Sequence, residues 1–181
     1  MPCVVDAHRQ EELVDWVDDD GRVIDVVPRS RMRAENLLHR SVAVIVTTSD
    51  GRLVVQRRAD TKDVYPGWWD IGAGGVVSAG ESDAVAAGRE LHEELGVRAV
   101  PELVGRARYD DDRARERCVV FRVVHDGPFR PLDGEAVEIR VVTPDGFAAL
   151  RATERFLPGS LAMLLPHLPE FASGDGGAGR P

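Results

Sequence analysis

The chain has 181 residues, of which 43% are apolar and 30% charged, and these ordinary globular values exclude a fully disordered, collagen-like or fibrous protein. Its 23 basic and 31 acidic residues give a formal net charge of −8, which argues against indiscriminate binding to nucleic acid or anionic membranes. The two cysteines form no CxxC motif, and no apolar run reaches the length of a membrane helix. We expect a cytoplasmic protein with one domain, residues 13–172, between an N-terminal extension (1–12) and a disordered Gly-rich tail (173–181).

The predicted elements begin with a β-hairpin, in which Leu13–Val17 and Arg22–Val27 flank an Asp-Gly turn. A short Arg-rich helix is expected next, over Arg29–Leu38. Further strands are predicted where β-branched residues cluster, at Ser41–Thr48, Arg52–Arg57, Val100–Ala107, Arg117–His125 and Ala136–Thr143. The remainder divides into an expected loop at Ala59–Asp70, a strong helix at Ser82–Leu95 and a helical end around Leu161–Leu165. This mixture predicts an α+β fold, an α/β/α sandwich.

The helix predicted over Ser82–Leu95, with Gly96 as its stop, carries three glutamates within about one turn. Its spacing predicts a packing face made of Ala84, Ala87, Gly88, Leu91 and Leu95, with Glu90, Glu93 and Glu94 on a different face. Each pair of these carboxylates repels by roughly a few tenths of a kcal/mol, and the helix dipole disfavours anions near its C-terminus. Arg89 can pair with Glu93, and a divalent cation would neutralise the rest. The alternative interpretation is a solvated acidic face.

Residues Gly75–Val97 resemble the Nudix box, G-x5-E-x7-R-E-U-x-E-E-x-G-U, in which U is aliphatic. Every defined position is filled, and the preceding glycines allow close approach of the backbone to a ligand. The resemblance implies a mixed sheet between helices. It also implies hydrolysis of a diphosphate linked to another moiety, with Mg²⁺ as cofactor and Mn²⁺ as its substitute. The partner would be a small-molecule diphosphate such as a nucleoside diphosphate derivative, with no nucleic acid or membrane involved; a homodimer is left open.

The same resemblance implies roles for individual residues. Glu90, Glu93 and Glu94 would be metal ligands together with the Gly74 carbonyl, because Mg²⁺ prefers oxygen donors and lowers the pKa of bound water. Catalysis would rest on Glu93, Glu90 and Arg89, with one glutamate acting as general base and Arg89 orienting a glutamate. Structural roles in the motif fall to Gly75, Glu81 and Gly96, with Glu81 bracing the loop.

The resemblance extends from about Leu13 to Thr143 and is similar to the Nudix branch that includes isopentenyl diphosphate isomerase and its bacterial hydrolase-like relatives. In the isomerase, a cysteine and a metal-binding histidine occupy the positions of Gly74 and Val76 here. Cys118 is distant in sequence, so it is not expected to replace that cysteine. Isomerase activity is therefore a disfavoured alternative. A non-catalytic ligand-sensing domain is another, and it is disfavoured because every box glutamate is kept.

Several residues outside the box are candidates for substrate binding, for catalysis or for a structural role. Either Arg57 or Arg58 is expected to contact the substrate diphosphate in preference to Lys62, since neighbouring strand residues point to opposite faces. Glu135 or Glu138 is expected to assist as a late carboxylate. Structural roles are expected for His39, Trp68 and Trp69, and a solvated loop for Asp110–Glu116.

Overall fold

The computed structural model describes residues 11–172. Most of the expected N-terminal extension and the whole expected tail, 173–181, lie outside the described residues. None of the helices between residues 11 and 172 combines the length and the hydropathy that a membrane crossing requires.

Groups of strands are separated by helices along this range. The strands are β1 (Leu13–Val17), β2 (Val23–Pro28), β3 (His39–Thr47), β4 (Leu53–Arg58), β5 (Trp69–Ile71), β6 (Ala73–Val76), β7 (Glu102–Asp110), β8 (Arg115–Val124) and β9 (Ala136–Val142). The α-helices are α1 (Arg29–Ala34), α2 (Asp83–Leu95), α3 (Pro144–Thr153), α4 (Pro158–Leu164) and α5 (Pro169–Ala172), with a 3-10 turn at Leu165–His167.

Strand β3 lies at the centre of one mixed sheet. It pairs antiparallel with β6, which places Ala43 opposite Gly74, and parallel with β8, which places Ser41 opposite Cys118. Its neighbour β4 also pairs with β5 and β9, while β7 pairs with β8. The hairpin β1–β2 joins the sheet where β1 meets β3. The predicted mixed sheet and N-terminal hairpin are both confirmed.

Helices cover both faces of this sheet. Successive residues of β3 point to opposite faces, so Val42 and Val44 pack in the cluster that includes α2, whereas Ile45 packs in the cluster that includes α3, α4 and α5. A third, smaller cluster lies between the hairpin and α1, around Met32. The predicted α/β/α sandwich is therefore confirmed.

The first helix is shorter than the sequence predicts. It ends at Ala34, whereas the prediction extended it to Leu38. Asn36 has a positive φ of 47°, which an α-helix does not accommodate, and the Leu37 amide turns back to the Met32 carbonyl at 3.0 Å. The chain can then enter β3 two residues before the predicted start.

Strands β5 and β6 were not predicted. The expected loop Ala59–Asp70 ends inside β5, and β6 contains Gly74 and Gly75. Glycine is disfavoured in strands, and this segment does not alternate apolar and polar residues. The sequence therefore carries no local signal for β6. Its pairing with β3 is a tertiary effect.

The connection between β7 and β8 differs from the solvated loop expected over Asp110–Glu116. Its two ends belong to the strands, and the carboxylate of Asp111 accepts hydrogen bonds from the hydroxyls of Tyr65 and Tyr109 at 2.5 and 2.8 Å. The expectation is wrong for Asp111, because a polar run does not reveal a partner 46 residues away.

Helix α2 begins and ends as its sequence predicts, but its buried face is shifted. The Ser82 hydroxyl accepts a hydrogen bond from the Val85 amide at 3.3 Å, and Gly96 closes the helix with a φ of 70°. The buried positions are Ala86, Ala87, Glu90, Leu91, Glu94 and Leu95. The expected packing residues Ala84 and Gly88 are exposed and half-buried respectively. Two of the three glutamates therefore face the sheet.

Candidate active site

The buried face of α2 meets β6 at a glycine. A Cβ placed on Gly75 would lie 2.3 Å from Oε1 of Glu90, so a larger residue would displace this carboxylate. The Glu90 side chain is only 9% exposed. Gly75, expected to be structural in the motif, leaves the space in which the Glu90 carboxylate lies.

Arg89 joins the acidic side chains into one network. Its Nε and Nη2 each donate to a carboxylate oxygen of Glu81 at 3.0 Å. Its Nη1 donates to Glu90 Oε1 at 2.7 Å and to Glu93 Oε2 at 3.3 Å. Glu81 also accepts a hydrogen bond from the Ser78 amide at 3.2 Å, which fastens the loop before α2. Arg89 thus contacts three carboxylates and Glu81 contacts the loop, while the orienting role of Arg89 and the bracing role of Glu81 stay predictions.

Glu94 lies deeper, between β4 and β6. It is 2% exposed and accepts hydrogen bonds from Gln56 Nε2 at 2.6 Å and from the Gly74 amide at 2.9 Å. The Oε1 of Gln56 is buried and has no hydrogen-bond partner among the described residues. No role was predicted for Gln56 from the sequence. A glutamine within the apolar run of β4 was the available signal, since buried polar side chains usually have a bonding partner.

These carboxylates are difficult to ionise together. Burial raises the pKa of Glu90; the charge of Arg89 opposes this, while those of Glu93 and Glu135 add to it. Burial and then the charge of Glu90 raise the pKa of Glu94 to about 8. A nearby positive charge would favour the ionised forms of both.

The donor chemistry of this cluster fits a hard divalent cation. Carboxylate oxygens are the ligands that Mg²⁺ prefers, and burial with mutual repulsion raises the pKa values of Glu90 and Glu94, so that a cation here would favour their ionised forms. Within residues 11–172, no three His, Cys, Asp or Glu side chains already converge around one point. Arg89 instead lies between Glu90 and Glu93, so a cation would have to share these oxygens with it or displace it.

A cavity of about 110 Å³ opens beside the cluster. It is lined on one side by β6 and α2 and on another by the end of β4 and two connecting segments, including Gly74, Gly75, Glu90, Arg58, Lys62 and Glu135. Predicted metal-binding and substrate-binding residues therefore border the same space.

The structure places Arg57 and Arg58 differently. Arg58 lines the cavity, its Nη2 donates to the Val64 carbonyl at 3.1 Å, and its Nε is buried with no hydrogen-bond partner in the described range. Arg57 is absent from the described lining of the cavity, and its Nε lies 3.5 Å from Glu138 Oε2. Arg58 is thus the member of the pair that faces the cleft.

The two candidate late carboxylates also separate. Glu135 lines the cavity with Glu90 and accepts a hydrogen bond from Lys62. Glu138 pairs instead with Arg57 and with Arg140, whose Nε lies 2.6 Å from it. Of the two, only Glu135 is in position to affect Glu90.

Three residues were expected to have structural roles, and two of them, His39 and Trp69, are almost fully buried. His39 is 1% exposed, with Nδ1 2.9 Å from the Leu37 carbonyl oxygen. Trp69 is also 1% exposed, and its ring stacks on Phe156 with centroids 6.3 Å apart. Trp68 is half-buried.

Cys118 lies closer to the site than its sequence position indicates. It is buried opposite Ser41 in the β3–β8 pair and lines the same cavity as Gly74. The argument from sequence distance is therefore wrong, because a parallel strand pair joins distant segments. Burial raises the pKa of this thiol to about 12, and the thiol stays protonated at neutral pH.

The residues of the cavity wall that the sequence did not indicate include Arg29, Arg33, Ser41 and Asp70. The Arg-rich composition of α1 is visible in the sequence, but nothing local shows that this helix borders the box. Burial raises the pKa of Asp70, whose Oδ1 accepts a hydrogen bond from the Ile71 amide at 2.7 Å.

A family profile and the sequences of known proteins match most of this chain. A profile of the NUDIX domain matches residues 37–161. The chain is 40% identical to the uncharacterized Nudix hydrolase PA4841 of Pseudomonas aeruginosa, over 90% of this chain and 98% of that protein. It is 38% identical to the uncharacterized Nudix hydrolase YfcD of Escherichia coli K12, over 84% of each chain.

Solved structures show the same fold. DR0079 from Deinococcus radiodurans aligns with a TM-score of 0.65 at 23% identity, over 87% of this chain and 96% of that one. A MutT protein from Methanosarcina mazei Go1 aligns with a TM-score of 0.59 at 21% identity, over 76% of this chain and 93% of that one. With the box complete and two of its glutamates, Glu90 and Glu94, packed against β6, this chain belongs to the Nudix hydrolase family, whose general reaction is the hydrolysis of diphosphate bonds.

Proposed function

We propose that this protein is a metal-dependent pyrophosphohydrolase that cleaves a phosphoanhydride bond in a small organic diphosphate. The observation that carries the proposal is the Glu90 carboxylate, buried against Gly75 at the edge of a cavity that also holds Arg58. A buried acidic cluster facing a guanidinium across a cleft suits an anionic substrate bound together with a cation.

Glu90, Glu93 and Glu94 would hold the cation, with the Gly74 carbonyl as a further ligand. Mg²⁺ is the expected ion and Mn²⁺ its substitute; when bound, it would lower the pKa of a water molecule and offset charge on the phosphate oxygens. A structural neighbour supports the choice of ion. It is a bifunctional NMN adenylyltransferase/ADP ribose pyrophosphatase from Francisella tularensis, described as complexed with AMP and a Mn ion, with a TM-score of 0.57 at 17% identity, covering 73% of this chain and 41% of that one.

The protein's own side chains then have separate tasks. Arg58 donates to the diphosphate, because its buried Nε has no partner among the described residues. Arg89 orients Glu90 and Glu93, and Glu81 fixes Arg89. A water oxygen attacks one phosphorus, the bridging P–O bond breaks, and a carboxylate of the cluster accepts the proton of the water. Glu135 adds negative charge near Glu90.

A non-catalytic ligand-sensing domain is less well supported, since the acidic side chains of the box are present and linked by Arg89. A cytoplasmic location and a homodimer stay predictions of the sequence.

The test is a panel of nucleoside diphosphates, nucleotide sugars, dinucleotides and coenzyme diphosphates, incubated with the full chain and Mg²⁺, with both products identified. We expect at least one member to be cleaved at its phosphoanhydride bond. The activity should vanish with EDTA and return with excess Mg²⁺ or Mn²⁺. Turnover that persists in EDTA would overturn the metal-dependent mechanism, and binding of a panel member without any cleavage would favour the sensing domain.

A further inference from the structure

The wall of the cavity also contains cations from α1. Arg29 and Arg33, on neighbouring turns of α1, line it together with Arg58. Carboxylates hold the two α1 guanidiniums: Arg29 Nη1 lies 2.6 Å from Glu12, and Arg33 Nε lies 3.4 Å from Asp63. The α1 arginines are therefore anchored side chains.

This wall also offers donors whose partners in the protein are weak or poorly aligned. The Arg33 Nε is buried and makes no hydrogen bond within the described chain, although Asp63 is near. Ser41, a residue only 4% exposed, lines the same wall, and its hydroxyl is bonded only weakly, to the thiol of Cys118. A buried polar group without a strong partner is destabilising. An acceptor-rich anion in the cavity would give both groups a stronger partner.

The charges of these arginines also favour a bound anion. Burial lowers the pKa of Arg33; Asp63 opposes this, and the charges of Arg29 and Arg58 add to it. The charges of Arg29 and Arg58 thus disfavour the charge of Arg33, which a bound anion would relieve. The α4 side of the cavity is apolar, with Leu157, Met163 and Leu164, and suits the organic part of a ligand.

We infer that Arg33 and Arg29, with the Ser41 hydroxyl, form a subsite for a terminal phosphate of the substrate. The preferred substrates are then organic diphosphates that end in a free phosphate, in preference to diphosphates with a neutral group at both ends. The inference rests on the proposed hydrolase function, with Arg58 contacting the scissile diphosphate. Esterifying the terminal phosphate with a sugar removes one negative charge and adds bulk at the α1 wall.

Matched substrate pairs test this subsite: ADP with ADP-glucose, UDP with UDP-glucose, and GDP with GDP-mannose. We expect wild-type kcat/KM to be at least tenfold higher for the free diphosphate of the best pair. Arg33→Gln should reduce this ratio to near one, mainly through KM. Arg33→Lys should restore part of it, and Ser41→Ala should lower it without changing charge.

Arg31→Gln is the control, because Arg31 lies on the same helix, is 44% exposed and pairs with Glu35. A wild-type ratio of one or less, or an equal loss on both members with Arg33→Gln, would overturn the subsite.

A binding measurement separates this inference from the hydrolase proposal. Calorimetry with α,β-methylene-ADP in EDTA, which needs neither metal nor turnover, should show about tenfold weaker binding to Arg33→Gln than to wild type. Thermal melting checks that each variant is folded. Arg33-dependent binding without hydrolysis of any panel member would contradict the hydrolase proposal alone. Equal binding by wild type and Arg33→Gln would contradict the subsite alone.

Discussion

The side-chain amide of Gln56 donates a 2.6 Å hydrogen bond to the buried carboxylate of Glu94. This contact joins β4, which ends at Arg58 in the cavity, to the helix that carries the box. It also favours the ionised form of a carboxyl whose pKa burial raises to about 8. The substrate-binding strand and the acidic helix are thus held in one arrangement through a buried polar pair.

Replacing the box glutamates tests the proposed cation site. We expect Glu93→Gln and Glu94→Gln each to lower kcat by about a thousandfold, or roughly 4 kcal/mol, because each removes a charged oxygen donor. The measurement is kcat on the best panel substrate at saturating Mg²⁺, with circular dichroism to verify folding. Glu35→Gln is a matched control, since Glu35 is 50% exposed and pairs with Arg31. A near wild-type rate in either variant would remove that residue from the site.

The two adjacent arginines at the end of β4 should respond unequally. Arg58→Ala is expected to raise KM about tenfold or more, or 1.4 kcal/mol, because the Arg58 side chain lines the cavity. Arg57→Ala should change KM little, since Arg57 contacts Glu138 outside the cavity. Steady-state kinetics at fixed Mg²⁺ measures both. Unchanged KM and kcat in Arg58→Ala would show that the diphosphate is held elsewhere.

The contacts of Asp111, which is not a member of the acidic cluster, predict an effect on stability. Its carboxylate accepts hydrogen bonds from Tyr65 and Tyr109 and, at 2.7 Å each, from the amides of Arg113 and Ala114. Although burial raises it, these bonds keep the pKa of Asp111 below its usual 3.8. Because the folded-state value is the lower one, the stabilisation is present above pH 3.8 and is lost as the pH falls below it.

We therefore expect Asp111→Asn to destabilise the protein at pH 7 by about 1–3 kcal/mol. The difference from wild type should shrink as the pH is lowered towards 3. Urea denaturation at pH 7, 5 and 3 measures this, with Asp112→Asn as control because Asp112 is exposed. A difference that is constant with pH would show that the charge of Asp111 does not contribute.

Much of the fold could be predicted because its signals are local. The hairpin follows from an Asp-Gly turn, and α2 follows from Ser82 and Gly96 at its ends. The acidic residues of the site followed from the spacing of one contiguous motif. The bounds of α2 were therefore correct to within one residue.

The rest depended on contacts between distant segments. Gln56 and Glu94 are 38 residues apart, and neither the shifted buried face of α2 nor the pairing of the glycine strand β6 has a periodic signature. Cys118 reaches the cavity only through the parallel pairing of β8 with β3. The choice of Arg58 over Arg57 likewise required the orientation of β4 relative to the cavity.

The isomerase alternative provides the last prediction: the purified protein with isopentenyl diphosphate and Mg²⁺ should form no dimethylallyl diphosphate. Moving a double bond requires groups that protonate and deprotonate carbon. At Gly74, where the isomerase has its cysteine, a Cβ would lie 2.7 Å from the Val42 carbonyl oxygen, so this backbone excludes a thiol there. At the histidine position, Val76 is 4% exposed and belongs to an apolar cluster. The Cys118 thiol does line the cavity, but burial raises its pKa to about 12.

Proton NMR of the reaction mixture follows the double bond directly, and the same preparation must cleave a panel diphosphate as a positive control. Enzyme-dependent migration that disappears in Cys118→Ser would show that the buried thiol performs the isomerase chemistry after all.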